Sequence, residues 1–170
     1  MAIIEAKSTV EVRGNLDAVV REYSFPDVHL GAGEDESPWV PFKENVFIRH
    51  LSFDVRHNVY ANILWVKKGG SLGRHRHRGK VFACTLEGNW RYLEYDWVAR
   101  PGSYVQESPG AVHTLVSDDP NGMKTMFVLN GSLEFVDDND NLLETLDVFW
   151  FINHYVSYCR EQGIEINKKL

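Results

Sequence analysis

The sequence predicts a mainly β fold closed by one C-terminal helix. From Val46 to Val136 short apolar runs alternate with Gly, Pro and Asn turn signals, the pattern of many short strands in a β-sandwich or small barrel. After the polar break Asp137-Asp-Asn-Asp-Asn141 the pattern changes, and 147–162 reads as a helix with Gly163 placed to stop it. The chain has 170 residues, 44% hydrophobic and 25% charged. That is enough for one packed domain over 1–170, with its barrel core at about 39–136, and is unlike a disordered chain.

Taken in order, the first forty residues read as irregular, with a loop at Gly31–Pro38 before apolar character resumes at Trp39-Val-Pro-Phe42. Strands are expected at Val46–Val55, Val59–Lys67, Gly73–Lys80, Val81–Leu86 and Trp90–Val98. Four more are expected at Ser103–Glu107, Ala111–Ser117, Met123–Leu129 and Ser132–Val136. Asn130-Gly131 is the strongest hairpin signal between them. In the helix, Val148-Phe-Trp-Phe-Ile152 is apolar on every face. It reads either as packing across the barrel or as a face that meets another subunit, and a homo-oligomer is the expectation.

Several function classes are excluded early. A net charge of -6 gives no bulk attraction to nucleic acid or to an anionic membrane. The longest apolar stretch, near Val148–Ile152, is far short of the roughly 20 residues that span a bilayer. Met1-Ala-Ile-Ile-Glu-Ala-Lys7 carries a charge where a secretory signal is apolar. Cys84 and Cys159 are too few for a disulfide framework or a cysteine metal knuckle, so the expected setting is a reducing cytoplasm. There is no Gly-rich phosphate loop, nucleophile elbow or CxxC pair.

His75-Arg-His77 carries the chemistry. In a strand both imidazoles face one side, about 6.6–6.8 Å apart at Cα, and imidazoles at that spacing can reach one ion at about 2.1 Å. His113 follows the turn at Ser108-Pro-Gly110 and stands at the start of an expected strand, where it can supply a third ligand. The alternative is three histidines that are merely packed or exposed. Arg74, Arg76 and Arg78 fall on the opposite face and read as ion-pairing residues of the outer surface. His29, His50, His57 and His154 have no metal spacing to the cluster and read as surface or helix-packing residues. Cys84 reads as a small core residue on the face opposite the histidines.

Trp90, Tyr92, Glu94 and Asp96 share one face of an expected strand. If that face is inward, Glu94 is a carboxylate ligand or a base for the substrate; if outward, it is solvated, and register cannot be read from sequence.

The segment Gly69-Gly-Ser-Leu-Gly-Arg-His75-Arg-His77, ending at Gly88, resembles the first motif of the cupin superfamily. Gly102-Ser-Tyr-Val-Gln-Glu-Ser-Pro-Gly110-Ala-Val-His113 resembles the second. The resemblance implies a double-stranded β-helix, the jelly-roll barrel, with His75, His77 and His113 as metal ligands. Where most cupins place a glutamate, four residues after the second histidine, this chain has Val81. It therefore resembles the three-histidine cupins that cleave carbon–carbon bonds with dioxygen. Trp39-Val-Pro41, Gly88-Asn-Trp-Arg-Tyr-Leu-Glu94 and Pro109-Gly-Ala-Val-His-Thr114 are most similar to the 2,4′-dihydroxyacetophenone dioxygenase family. The acetylacetone-cleaving dioxygenases are a looser likeness.

This resemblance implies an Fe(II) dioxygenase acting on a small aromatic hydroxyketone or a diketone, with no nucleic-acid or membrane partner. Three imidazoles alone equally allow Zn(II) or another divalent metal. With no carboxylate ligand the ion keeps its full +2 charge and favours a chelating anion such as an enolate. Val81, Trp39, Trp65, Trp90 and Tyr92 are the expected pocket residues, although the aromatic ones also suit a core. The rival readings are a metal-binding cupin sensor resembling those of zinc-dependent anti-sigma factors, and a zinc-dependent isomerase or hydrolase.

Overall fold

Alternation within the strands sorts their residues into an inner and an outer set. The computed structural model describes residues 27–34 and 36–170. Its strands are β1 (Trp39–Lys43), β2 (Val46–Asp54), β3 (Val59–Val66), β4 (Ser71–His77), β5 (Val81–Glu87) and β6 (Arg91–Tyr92). They continue with β7 (Tyr104–Glu107), β8 (Val112–Val116), β9 (Met123–Asn130), β10 (Leu133–Val136) and β11 (Leu142–Leu146), before helix α1 (Val148–Gln162). One sheet has the order β1-β2-β3-β9-β5-β7 and the other β11-β10-β4-β8-β6. Together they form a cupin-type jelly roll with one C-terminal helix.

Tyr60, Leu64 and Val66 of β3, Val81 and Ala83 of β5, and Phe127 and Leu129 of β9 are buried on the inner face of the first sheet. Leu115 of β8 and Leu133 and Phe135 of β10 meet them from the second. Each large side chain so buried contributes about 1.5–3 kcal/mol by area.

Helix α1 has the caps its sequence announces. The Asp147 side chain accepts from Trp150 N–H at 3.0 Å, and Gly163 takes a left-handed φ of 65° at the other end. Val148, Phe151, Tyr155 and Cys159 are buried at helical spacing while Phe149 stays exposed. The all-apolar run is thus divided, and its inner face packs on the barrel, with Phe42 edge-on to Trp150 at 5.7 Å. Among the described residues no helix is long and apolar enough to cross a membrane.

Two expectations are corrected, and two strands are added. The strand expected at 90–98 is paired only over Arg91–Tyr92. Trp90 and Ala99 then exchange backbone hydrogen bonds of 3.1 and 2.8 Å, which makes 93–98 a protruding turn. Asn130-Gly131 is not a hairpin, because β9 and β10 lie in different sheets. The chain crosses between sheets there so close to Gly79 that a Cβ on Gly79 would stand 2.1 Å from the Asn130 carbonyl oxygen. Segments 39–43 and 142–146 are strands at the outer edges of the two sheets, and polar or proline-bearing sequence suits such edges.

Candidate metal centre

The centre is built from strand alternation and one turn. His75 and His77 lie two apart on β4 and point to the same side; His113 on β8 stands directly opposite His75 in the antiparallel register. The turn that delivers His113 is tied back to β4 by Gly110 N–H, which donates to the His77 carbonyl at 2.8 Å. All three rings are buried, with centroids 4.7 Å apart for His75 and His113 and 5.1 Å for His75 and His77. One nitrogen from each lies within 4.8 Å of the others.

Hydrogen bonding and burial leave these rings in a form that could bind a metal. His75 Nδ1 lies 2.8 Å from the Gly73 carbonyl oxygen; a carbonyl only accepts, so Nδ1 carries the proton and Nε2 offers a lone pair. Burial, with the neighbouring His77 and His113, holds His75 well below the usual histidine range. Burial, then His113, takes His77 down to about 3. Neutral imidazole is the form that binds a metal.

A buried carboxylate that sequence reasoning missed lies against two of these rings. Glu107, at the end of β7, faces Val81 across the β5–β7 pair and is buried. Tyr92 donates its hydroxyl to Glu107 Oε1 and stacks its ring on His113 at 3.7 Å and 8°. Burial and the charge of Glu107 push the Tyr92 hydroxyl well above its ordinary pKa, so it remains a donor. Glu107 Oε2 lies 3.3 Å from Nε2 of both His77 and His113. Neither Oε2 nor either His113 nitrogen has a hydrogen-bond partner. Orphaned buried polar atoms in one cluster are uncommon, and a divalent cation would satisfy Glu107 Oε2 and His113 Nε2 together, so the donor set fits a metal.

A cavity of about 490 Å³ opens beside His113 and Glu107, walled by Tyr92, Tyr95, Trp97 and Tyr104. Its lining includes no Lys or Arg.

Other expected site residues fall elsewhere. Val81 is fully buried on the inner face. Glu94 lies on the far side of β8 because the strand that would have carried it ends at Tyr92. There it is exposed, accepting from Thr114 N–H at 2.8 Å and Thr114 Oγ1 at 2.9 Å and pairing with Arg74 at 3.6 Å. Burial tends to raise its pKa, but the Thr114 hydrogen bonds outweigh it and the net shift is downward.

Trp39 and Trp65 stack edge-to-face at 5.4 Å on the outer face of the first sheet, since Leu64 and Val66 take the inward positions of β3. The amine of Lys67 sits 4.5 Å above the Trp65 ring. Trp90 is core: its indole N–H donates to Thr85 Oγ1 at 2.8 Å. Cys84 is half-buried on the outer side of β5 rather than in the core. Arg74 pairs with Asp140, and Arg76 and Arg78 share Glu134, so this basic run is an outer ion-pair network. His50 is a helix-packing residue bonded to His154; His57 pairs with Asp54 at the surface, and His29 is exposed.

The family model described as "ChrR Cupin-like domain" matches residues 29–134. No curated protein matches the sequence at a significant level. Among solved structures, an RmlC-like cupin protein from Ralstonia eutropha JMP134 is 29% identical, with a TM-score of 0.76 over 84% of this chain and 94% of that one. An acetylacetone dioxygenase from Acinetobacter johnsonii is 19% identical, with a TM-score of 0.70 over 79% and 94%. The anti-sigma factor ChrR of Rhodobacter sphaeroides, solved with SigE, is 17% identical, with a TM-score of 0.51 over 76% and 70%. At these last two identities the likeness is one of fold.

Proposed function

The chain belongs to the ChrR cupin-like domain family, and on that premise we propose that it is a metal-dependent dioxygenase. Its substrate is a small aryl α-hydroxyketone or a related diketone, cleaved at the bond beside the carbonyl. The carrying observation is the pairing of three buried imidazoles with an aromatic-walled cavity that has no cationic side chain in its lining. The motif resemblance to three-histidine dioxygenases supports the same reading.

His75, His77 and His113 would hold the ion. When bound, iron supplies the Lewis acidity and the electrons that make dioxygen reactive. The chain does the rest. Tyr95 and Trp97, stacked at 5.7 Å and 19°, present a flat apolar wall to a planar ring. A carboxylate or phosphate held away from the metal finds no cationic side chain in that lining, so the cavity suits a substrate whose remaining body is neutral. For a hydroxyketone the balance is one substrate and one O2 to one carboxylic acid and one formic acid, with no further reductant.

The test is oxygen uptake by the iron-loaded protein with a panel of aryl hydroxyketones and β-diketones, with formate or acetate assayed beside it. Stoichiometric uptake and acid formation are expected. Stable metal binding with no uptake on any member of the panel refutes the dioxygenase and leaves a sensor module or a zinc-dependent isomerase or hydrolase.

A further inference from the structure

We infer that Glu107 is a fourth protein ligand to the metal, reaching it from β7, the strand beside β5. The inference rests on the metal-binding half of the proposed function and not on the reaction assigned to it.

Two donors, each about 2.1 Å from one ion, stand about 3.0 Å apart at a right angle and about 3.4 Å apart at the tetrahedral angle. Glu107 Oε2 lies 3.3 Å from His77 Nε2 and 3.3 Å from His113 Nε2, within that window for both. These contacts are not hydrogen bonds, for Oε2 and both His113 nitrogens are buried without partners. A carboxylate oxygen left so in the interior is costly unless it meets a cation. No Lys or Arg lines the cavity beside it, and Arg74, Arg76 and Arg78 are engaged on the outer face. The three histidines are mutually within 4.8 Å; Glu107 stands outside that mutual set, beside His77 and His113 and away from His75, so ligation would draw its carboxylate inward.

Tyr92 makes this ligation one-armed. By donating to Oε1 it holds that oxygen away from the centre, and by stacking on His113 it fixes the ring beside which Oε2 lies. Tyr92 is therefore a positioning residue for both ligands. Across the strand pair Val81 is apolar and fully buried. It leaves the room that the carboxylate fills and offers no competing donor. With one carboxylate bound, the ion carries a net charge of +1 in place of +2, which moderates its pull on an anionic substrate.

Zinc titration and cobalt(II) visible absorption read this without turnover. Glu107→Gln is expected to lose metal affinity by at least the 10–100-fold, in rough terms, that even outer partners of a metal ligand can cost. Its cobalt bands should shift in position and intensity. Tyr92→Phe should lose less alone and nothing further in the Glu107→Gln background, because it acts through that carboxylate. Returning a carboxylate in Val81→Glu/Glu107→Gln should recover part of the affinity. Infrared difference spectra of the unaltered protein on zinc addition need no variant and should show a carboxylate stretch shifted by ligation. Equal affinity and cobalt spectra in the wild type and Glu107→Gln overturn Glu107 alone. A zinc difference spectrum with no carboxylate signal does the same, whereas failure of the wild type to bind zinc overturns the metal centre with it.

Discussion

Replacing His50 by Gln is expected to flatten the acid limb of the stability curve. His154 Nε2 lies 2.8 Å from the Pro41 carbonyl oxygen, so it must donate and its Nδ1 must accept. His50 Nε2, 3.2 Å from that Nδ1, is then the donor. His50 Nδ1 is left bare, buried and without a partner. Burial, and then the neighbouring His154, lowers the His50 pKa to about 3. In the unfolded chain the same ring takes up its proton near pH 6.5. Its contribution is therefore whole above about pH 6.5 and is lost progressively as the pH falls towards 3. At about 1.4 kcal/mol per unit, the loss at pH 4.5, two units below the unfolded pKa, is about 3 kcal/mol.

Urea unfolding of the chelator-treated protein at neutral pH and near pH 4.5 measures this. His75 and His77 titrate in the wild type and the variant alike and cancel in the comparison. The wild type should lose about 3 kcal/mol more than His50→Gln between the two conditions. Parallel losses would refute the depressed His50 and the hydrogen-bond chain behind it.

Substitution of His113 by Ala should remove most bound metal while leaving a β-rich circular dichroism spectrum; full occupancy by metal analysis would remove His113 from the centre. For Glu94→Gln, held outside the barrel by Thr114, unchanged metal content and turnover are expected, with a stability loss within about 1 kcal/mol. A fall of about 10²-fold or more in rate would return Glu94 to the chemistry. Removing the wall with Trp97→Ala should raise KM for an aryl hydroxyketone by about 3–10-fold, the worth of one aromatic contact. It should leave KM for acetylacetone nearly unchanged, and an equal rise for both would contradict ring selection.

What was legible in the sequence is what depends on neighbours along the chain. Alternation alone puts His75 and His77 on one side of β4. The caps of α1 announce themselves as Asp147 and Gly163. Turn signals, however, report that the chain bends and not which strand it joins next, which is why Asn130-Gly131 suggested a hairpin between strands of different sheets. Of the two placements open to Glu94, the inward one fails for a similar reason. Its inward placement needed alternation to continue past Tyr92, and the Trp90–Ala99 bridge ends the strand there. The tryptophans failed on parity: hydrophobic character is the same on both faces of β3, so nothing local says that Leu64 turns in and Trp65 turns out.

Glu107 was hidden by the same limit. Its place opposite Val81 is a property of the β5–β7 pairing, which joins positions 81 and 107 across the whole of β6 and its following turn. The four residues of β7 at a sheet edge carry too short an alternation to set a face, and only the last of them is buried. An apolar residue at position 81 therefore does not decide the charge of the centre. In an antiparallel pair the facing residue stands about 4.5–5.5 Å away on the same side of the sheet, close enough for a carboxylate to leave one strand and serve from the next. Counting ligands along a motif finds three here, whereas asking which side chains lie against His77 and His113 brings in Glu107 as well.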